Sequence, residues 1–271
     1  MVVSADAVYT MDYAALIDEH VEAGADVTMV TTEVDPGDAD RYGVVQAAGG
    51  RISEYVYKPD RPGGNLICNE VFAFRPDALL DTLEELAAAA GDEGLEDLGH
   101  ALLPQLVEAG SAHEHRFEGY WRDVGTIPAY WSAHQELLAD EAPIDLDDPS
   151  WPVLTRASAA HAPSRIAAGA CVEASLLAPG ARVAGTVSSS VIGRGAIVEA
   201  GAVVSESVIL PGAVVRAGAR VTRAIIDDGV IVSPEATVGA AGGDIALVGL
   251  RATVEAGSDV PAGGRFPAED S

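Results

Sequence analysis

The sequence has little positive charge. It holds 16 basic residues against 42 acidic ones, carries a formal net charge of −26, and has Lys58 as its only lysine. Nucleic acids and anionic membrane surfaces are bound through basic surfaces, so this composition argues against both kinds of partner. A phosphate-bearing ligand would have to be held by a few placed cations or by a metal ion, because the overall field repels it.

Cysteines, long apolar runs and phosphate loops are also scarce or missing. Cys68 and Cys171 fit no metal or disulfide spacing, which indicates a reducing, cytoplasmic environment. No apolar run approaches the roughly 18 residues of a transmembrane helix, and the N-terminus has no signal-peptide pattern, so we expect neither export nor membrane insertion. Neither GxGxxG nor GxxxxGK[ST] occurs anywhere in the 271 residues.

The first half alternates strand and helix patterns, which is typical of an α/β domain. "MVVSADAVY" predicts a strand ending at Asp6, and a helix with Asp12 as N-cap and Gly24 as C-cap follows it. Strands are also predicted over 26–34, over 66–74 and within 113–125, together with a hairpin over 42–59 that turns at Gly49-Gly50. Helices are predicted to open at Pro76, at about Asp97 and after Thr126. Because the chain begins inside a strand and lacks a phosphate loop, we expect a nucleotide-binding half to be missing from it.

The second half repeats with a period of 17 residues. Three interleaved rows of β-branched residues show it: Ile192, Ile209, Ile226; Val198, Val215, Val232; and Val204, Val221, Val238. On two of the faces, a Gly recurs three places after the leading residue and is followed by Ala. Val248, Val254 and Val260 indicate a last coil after a Gly-rich break at 239–243. This pattern predicts a stack of three-faced coils of short parallel strands, with branched residues inside and Gly at the tight turns.

The coils resemble the left-handed hexapeptide-repeat β-helix, which occurs in acyltransferases and as an assembly domain of sugar-nucleotide enzymes. Hexapeptide acyltransferases usually rely on a histidine within or beside the coils. The last histidine of this chain, His161, precedes the first coil. We therefore favour an assembly role for this half.

Three segments, in this order before the β-helix, resemble bacterial glucose-1-phosphate adenylyltransferases (ADP-glucose pyrophosphorylases): "SADAVYTMDYAALIDEHVEAGADVT", "YVYKP" and "YWRDVGTIPAYWSAHQELL". The resemblance implies the reaction of ATP with glucose 1-phosphate to give ADP-glucose and pyrophosphate, in glycogen or related α-glucan synthesis. It also implies Mg²⁺ and a tetramer. The expected organisation is a partial Rossmann-like catalytic domain (1–140), a linker (141–165), a left-handed β-helix (166–263) and a tail (264–271).

The resemblance assigns roles to three residues. Asp6 matches the catalytic Asp of the family, and Asp123 in "WRDVG" matches its second acidic position; carboxylates are hard ligands that suit Mg²⁺. Lys58 matches the lysine that holds the phosphate of the sugar, where the compact ammonium group of Lys is not interchangeable with the planar fork of Arg. The alternatives are a loop Asp, an Asp paired with Arg122, and a surface Lys.

Other positions near the sugar depart from the family pattern. Tyr57 stands where the family usually has the Glu that binds sugar hydroxyls, and Cys68-Asn69-Glu70 replaces its "SMG". Glu70 either fills space meant for the sugar or replaces the missing carboxylate, which leaves the sugar specificity open and is consistent with a divergent paralogue of the family. Two further residues stay open: Trp121 supports the sugar, fixes the Asp123 loop or is a core aromatic, and Asp97 is either the family's acidic position or a helix N-cap.

The sequence is compatible with two functions. The first is a sugar-1-phosphate nucleotidyltransferase, working as a homo-oligomer. The second is a non-catalytic assembly or regulatory subunit, which would join a full-length subunit in a hetero-oligomer, or a gene remnant. The missing phosphate loop favours the second for this polypeptide, for which we expect no turnover, whereas Asp6, Lys58 and Asp123 favour the first for its lineage.

Overall fold

The computed structural model describes residues 1–91, 94–95, 97–154 and 162–267. Residues 155–161 of the expected linker, which include His161, lie outside the described residues. The chain forms two compact units, Met1–Arg122 and Asp123–Ser271, and the division falls inside a short strand, Trp121–Asp123.

A six-stranded mixed sheet forms the centre of the first unit. Its order is β1-β6-β3-β7-β5-β4, where β3 and β7 are parallel and the other pairs of neighbouring strands are antiparallel. The bounds are β1 Val2–Val3, β3 Val27–Glu33, β4 Gly43–Ala48, β5 Arg51–Tyr57, β6 Leu66–Phe74 and β7 Ala112–Arg116. A separate pair joins β2 (Ala7–Tyr9) to β8 (Trp121–Asp123). The predicted α/β character is confirmed.

The predicted helices of the first half are present, with the expected caps. Helix α1 (Tyr13–Ala23) begins at Asp12, whose carboxylate accepts from the amide of Ala14 at 2.9 Å, and ends at Gly24 with φ +59°. Helix α2 (Pro76–Ala90) opens on its proline. A π-helical turn (Leu98–Leu102) leads into α3 (Leu103–Glu108), and α4 (Ile127–Glu136) begins after its N-cap Thr126.

One strand prediction in this half is wrong. The expected continuous strand "MVVSADAVY" is divided into β1 and β2, and Asp6 lies in the bend between them. β1 pairs with β6, whereas β2 pairs with β8, so the chain leaves one sheet and joins another at this point. Small residues around the bend, Ser4 and Ala5, permit the change of direction.

Three parallel six-stranded sheets build the β-helix of the second unit. One sheet contains β10 Cys171–Glu173, β13 Thr186–Ser188, β16 Val203–Ser205, β19 Arg220–Thr222, β22 Thr237–Val238 and β25 Asp259–Val260. A second contains β11 Leu176–Leu177, β14 Val191–Ile192, β17 Val208–Ile209, β20 Ala224–Ile226, β23 Ala246–Val248 and β26 Arg265–Phe266. The third contains β9 Arg165–Ile166, β12 Arg182–Val183, β15 Ile197–Val198, β18 Val214–Val215, β21 Ile231–Val232 and β24 Thr253–Val254.

The three predicted rows form the core of the prism. Ile209 pairs in register with Ile192 on one side and Ile226 on the other, and all three side chains are fully buried. The predicted corner glycines adopt left-handed conformations, with φ between +65° and +84°. The alanines that follow them at 181, 196, 202, 213 and 219 are buried. Burial of branched side chains in stacked registers supplies most of the stability of such a unit.

Buried serines close one corner, which the sequence pattern did not reveal. The hydroxyl of Ser190 accepts from the amide of Ser207 at 3.0 Å, and the hydroxyl of Ser207 accepts from the amide of Ala224 at 3.1 Å. Each hydroxyl donates in turn to a carbonyl two residues earlier. These side chains satisfy backbone donors where the strands stop, so their burial leaves no unpaired amide at those positions.

β26 lies beyond residue 263, in the segment expected to be a tail, where Phe266 pairs with Val248 and packs against the prism core. The sequence did not predict this strand, because a phenylalanine replaces the β-branched residue of the row. None of the helices in the described ranges has both the length and the apolar content needed to span a bilayer.

Candidate functional site

Lys58 follows the last residue of β5 in a left-handed conformation, with φ +43°. Its amide donates to the carbonyl of Tyr42 at 3.0 Å, which fixes the backbone while the side chain remains exposed. The ammonium nitrogen lies 4.8 Å from the centroid of the Tyr57 ring. A hydrogen bond with Tyr57 and the negative charges of Glu70 and Asp97 raise the pKa of Lys58, with partial burial acting against them. The side chain is therefore a cation at physiological pH.

Tyr57 is held by close packing against the π-helical turn. A Cβ placed on Gly99 would lie 2.4 Å from the Tyr57 ring, so no larger residue fits there without a shift. The His100 ring meets the Tyr57 ring edge to face, with centroids 4.6 Å apart. Because Tyr57 cannot move inward, it serves as a platform beneath the ammonium group of Lys58.

Glu70 occupies a bulge of β6. The pairing with β3 advances from Met29 opposite Phe72 to Thr31 opposite Cys68, so β6 has extra residues around position 70. Glu70 adopts φ +62°, a conformation that glycine takes without strain and other residues rarely adopt. This conformation suits the glycine that the resemblance predicts at this position. Here the backbone keeps the glycine geometry but carries a carboxylate.

Asp97 is the N-cap of the π-helical turn, as one of the two alternatives predicted. Its carboxylate accepts from the amide of His100 at 3.0 Å and lies 3.1 Å from Nδ1 of the same residue. Desolvation opposes ionisation, but these hydrogen bonds outweigh it and lower the pKa of Asp97. Asp97 is thus an ionised carboxylate at neutral pH.

Tyr57, Glu70, Asp97 and Gly99 line one cavity of the first unit, with a volume of about 240 Å³. Its polar lining comes from Ser4, Tyr57, Glu70 and Asp97, and its apolar wall includes Phe72. Lys58 is not part of this lining, but its ammonium group contacts the ring of Tyr57, which is. A cavity with an apolar wall and a few convergent polar groups, one of which contacts a cation, suits a small phosphorylated ligand.

The structure places three other predicted residues away from this cavity. Cys68 is buried in the core, and burial raises the pKa of its thiol to about 12, so it is inert. Asn69 is fully buried, and both of its amide atoms lack partners among the described residues. Trp121 packs edge to face on Tyr42, with ring centroids 5.4 Å apart, in a small apolar cluster.

The two predicted metal ligands lie in different units. Asp6 is exposed and accepts a short hydrogen bond from the hydroxyl of Ser4. Asp123 accepts from the amide of Gly125 at 2.7 Å and is the first residue of the second unit, so its association with Asp6 and Lys58 stays a prediction. Within the described ranges, no group of three or more His, Cys, Asp or Glu side chains assembles to hold a metal. The donor types still fit Mg²⁺, which commonly takes one or two carboxylates together with substrate phosphates and water.

Sequence reasoning missed the parts of the cavity that come from other segments. Ser4 reaches it because its amide donates to the carbonyl of Glu70 at 3.0 Å, which extends the pairing of β1 with β6. Gly99 reaches it because it packs on Tyr57. The "DLGH" segment was the available signal, since a glycine early in a helix is costly unless close packing requires it.

Two family models and several curated proteins match the chain. The model "Nucleotidyl transferase" matches residues 1–140, and the model "GlmU-like, C-terminal hexapeptide" matches residues 158–244. Glucose-1-phosphate adenylyltransferase of Thermomicrobium roseum is 39% identical over 181 residues, which are 66% of this chain and 42% of the relative. The enzymes of the same name from Thermotoga neapolitana (37%) and Bacillus cereus (35%) each align with 75% of this chain, and with 48% and 54% of their own lengths. The chain thus spans about half the length of the curated relatives it matches.

Proposed function

Because the chain belongs to the nucleotidyl transferase family, we propose that it binds a sugar 1-phosphate for nucleotidyl transfer, with glucose 1-phosphate and ATP as substrates. The reaction would join the phosphate oxygen of the sugar phosphate to the α-phosphorus of ATP and release pyrophosphate. We further propose a cytoplasmic protein that works as a homo-oligomer or together with a full-length subunit.

The observation that carries this proposal is the position of the only lysine of the chain. The Lys58 ammonium group lies over the ring of Tyr57, a residue that lines the cavity, and the hydrogen bond with Tyr57 and the charges of Glu70 and Asp97 raise its pKa. Because the chain has a net charge of −26, few of its groups attract a phosphate, and this cation is one of them. We assign Lys58 to the phosphate of the sugar and the carboxylate of Glu70 to its hydroxyl groups.

For the metal, we propose Asp6 and Asp123 as the protein ligands. Mg²⁺ bound there would neutralise the charge of the phosphates during transfer. Ser4 would orient the carboxylate of Asp6 through their hydrogen bond, and the Gly125 amide would orient that of Asp123. Tyr57 would keep the Lys58 ammonium group in place, so that the sugar phosphate meets a fixed cation.

Calorimetric titration of the whole 271-residue chain tests the proposal, with glucose 1-phosphate, ATP with Mg²⁺, and glucose without phosphate as ligands. We expect saturable binding of glucose 1-phosphate and none of glucose at the same concentrations. If glucose 1-phosphate fails to bind, the proposal is wrong.

A pyrophosphate-release assay, run in parallel, separates the two candidate roles. The sequence contains no glycine-rich phosphate loop, which favours a sugar-phosphate-binding assembly or regulatory subunit over a catalytic one. The chain is a catalyst if the wild type releases pyrophosphate, Asp6→Asn does not, and Asp18→Asn still does. Asp18 is an exposed carboxylate on α1 and serves as the control. Binding without release would identify the subunit role.

A further inference from the structure

A side-chain cluster in the second unit joins α4 to one corner of the β-helix. The indole Nε1 of Trp131 donates to the carbonyl of Glu206 at 2.7 Å. The guanidinium carbon of Arg223 lies 4.2 Å from the centroid of the Trp131 ring. Arg223 also pairs with the carboxylate of Glu206 at 3.5 Å. Trp131 is therefore held at its edge by a hydrogen bond and on its face by a cation.

The irregular break of the β-helix supports Arg223. Glu206 and Arg223 occupy the same corner of successive coils, and both adopt left-handed conformations, with φ +48° and +50°. The Nε group of Arg223 donates to the carbonyl of Gly243 at 2.7 Å. Gly243 belongs to the Gly-rich break that lengthens this coil, in which Ile226 pairs with Val248, 22 positions later. The extra residues thus supply an acceptor that fixes the arginine.

The neighbouring face of the prism is also covered from outside. Val208 and Ile225 precede the inward-pointing Ile209 and Ile226, so their side chains point outward, yet both are buried. Burial and the negative charge of Asp227 raise the pKa of Tyr130, the neighbour of Trp131. Helix α4 is attached to the β-helix through Trp131.

The same helix begins directly after the Asp123 turn. The Asp123 carboxylate accepts from the Gly125 amide at 2.7 Å, and the Thr126 hydroxyl accepts from the Ala129 amide at 3.3 Å as the N-cap. Trp131 lies only five positions after that cap. Because an α-helix is stiff over this length, fixing Trp131 also fixes the turn that carries Asp123.

We propose that Trp131 and Arg223 are positioning residues, through which the β-helix holds the Asp123 turn in the orientation needed for metal binding. The metal role of Asp123 rests on the proposed function, but the mechanical link does not. The β-helix then acts on the Asp123 turn as well as on assembly, and its five-residue break serves to anchor Arg223.

Hydrogen exchange measured by mass spectrometry on the whole chain tests the link. We expect Arg223→Ala to speed amide exchange in residues 123–131 by about fivefold, since it removes a cation–π contact from the anchor. Trp131→Phe keeps a ring beneath the guanidinium group but removes the indole donor, so we expect a smaller increase in the same segment. The matched control is Arg216→Ala, which breaks an ion pair of similar exposure with Glu199 on the β-helix surface.

Mn²⁺ affinity, measured by electron paramagnetic resonance, provides the functional readout. We expect Arg223→Ala to weaken Mn²⁺ binding about threefold to tenfold and Arg216→Ala to leave it unchanged. If exchange in residues 123–131 is unchanged in both Arg223→Ala and Trp131→Phe, the proposal is overturned. If Arg223→Ala unfolds the β-helix, Trp131→Phe decides the question alone. Faster exchange in a chain whose wild type binds no Mn²⁺ would keep the link and refute the metal role of Asp123.

Discussion

Replacing Lys58 by methionine should weaken the binding of glucose 1-phosphate. At about 4 Å and an effective dielectric constant near 20, an ammonium–phosphate pair interacts by roughly 4 kcal/mol, which is an upper limit. A hydrogen bond that involves a charged group contributes about 1.5–3 kcal/mol in practice. The exposure of Lys58 places it at the low end of that range. Since each 1.4 kcal/mol is tenfold, the Kd should rise about tenfold.

The Kd of Lys58→Arg for glucose 1-phosphate should lie between those of Lys58→Met and the wild type, because the charge is kept but its geometry changes. A guanidinium group is larger and planar, and here it would replace an ammonium group 4.8 Å above the Tyr57 ring, on a residue with φ +43°. We expect a Kd about threefold above that of the wild type, since part of the interaction is retained.

Calorimetric titration near neutral pH measures both variants, with circular dichroism to confirm folding. The matched control is Arg61→Met, which removes an exposed cation three residues away from the lysine. Its affinity should equal that of the wild type. Equal affinities for the wild type and Lys58→Met would refute the assignment of this lysine to the sugar phosphate.

Two further predictions concern stability. Glu70→Gly should stabilise the first unit by about 0.5–1 kcal/mol, because relief of a left-handed strain of roughly 1–2 kcal/mol exceeds the added chain entropy of glycine; a lower midpoint in urea unfolding would contradict this explanation of the bulge. Ile209→Ala should destabilise the β-helix by about 2–5 kcal/mol through the cavity that it leaves between two coils. Val214→Ala, at a partly exposed outward position, should cost much less, and similar thermal shifts for both variants would argue against the stacked core.

The β-helix was largely predictable because its physical requirement repeats. A branched side chain must meet its equivalent one coil away, so the rows through Ile209 and Val215 appear directly in the sequence. Ser190 and Ser207 were not predicted, because a serine that closes a corner has the same local pattern as one exposed to solvent. β26 was missed because Phe266 fills the interior with a different shape.

The site was only partly predictable. Lys58 was recognisable from its rarity and from the motif around it. The order Cys68-Asn69-Glu70 was treated as one block, although Cys68 and Asn69 are buried and, of the three, Glu70 alone lines the cavity. The bulge at Glu70 interrupts the regular alternation of the strand, so the sequence did not reveal this difference. The contact between Gly99 and Tyr57 joins segments more than 40 positions apart, so no local pattern could reveal it.

The uneven lengths of the coils determine where this β-helix is able to change. Val187 pairs with Val172 across 15 positions and with Val204 across 17, and Val260 pairs with Val238 across 22, yet the inward side chains stay aligned in every case. Strand pairing absorbs no extra residues, so additions and losses must be confined to corners. Each corner is therefore a place where evolution, or an engineer, could attach a new contact without disturbing the layers above and below.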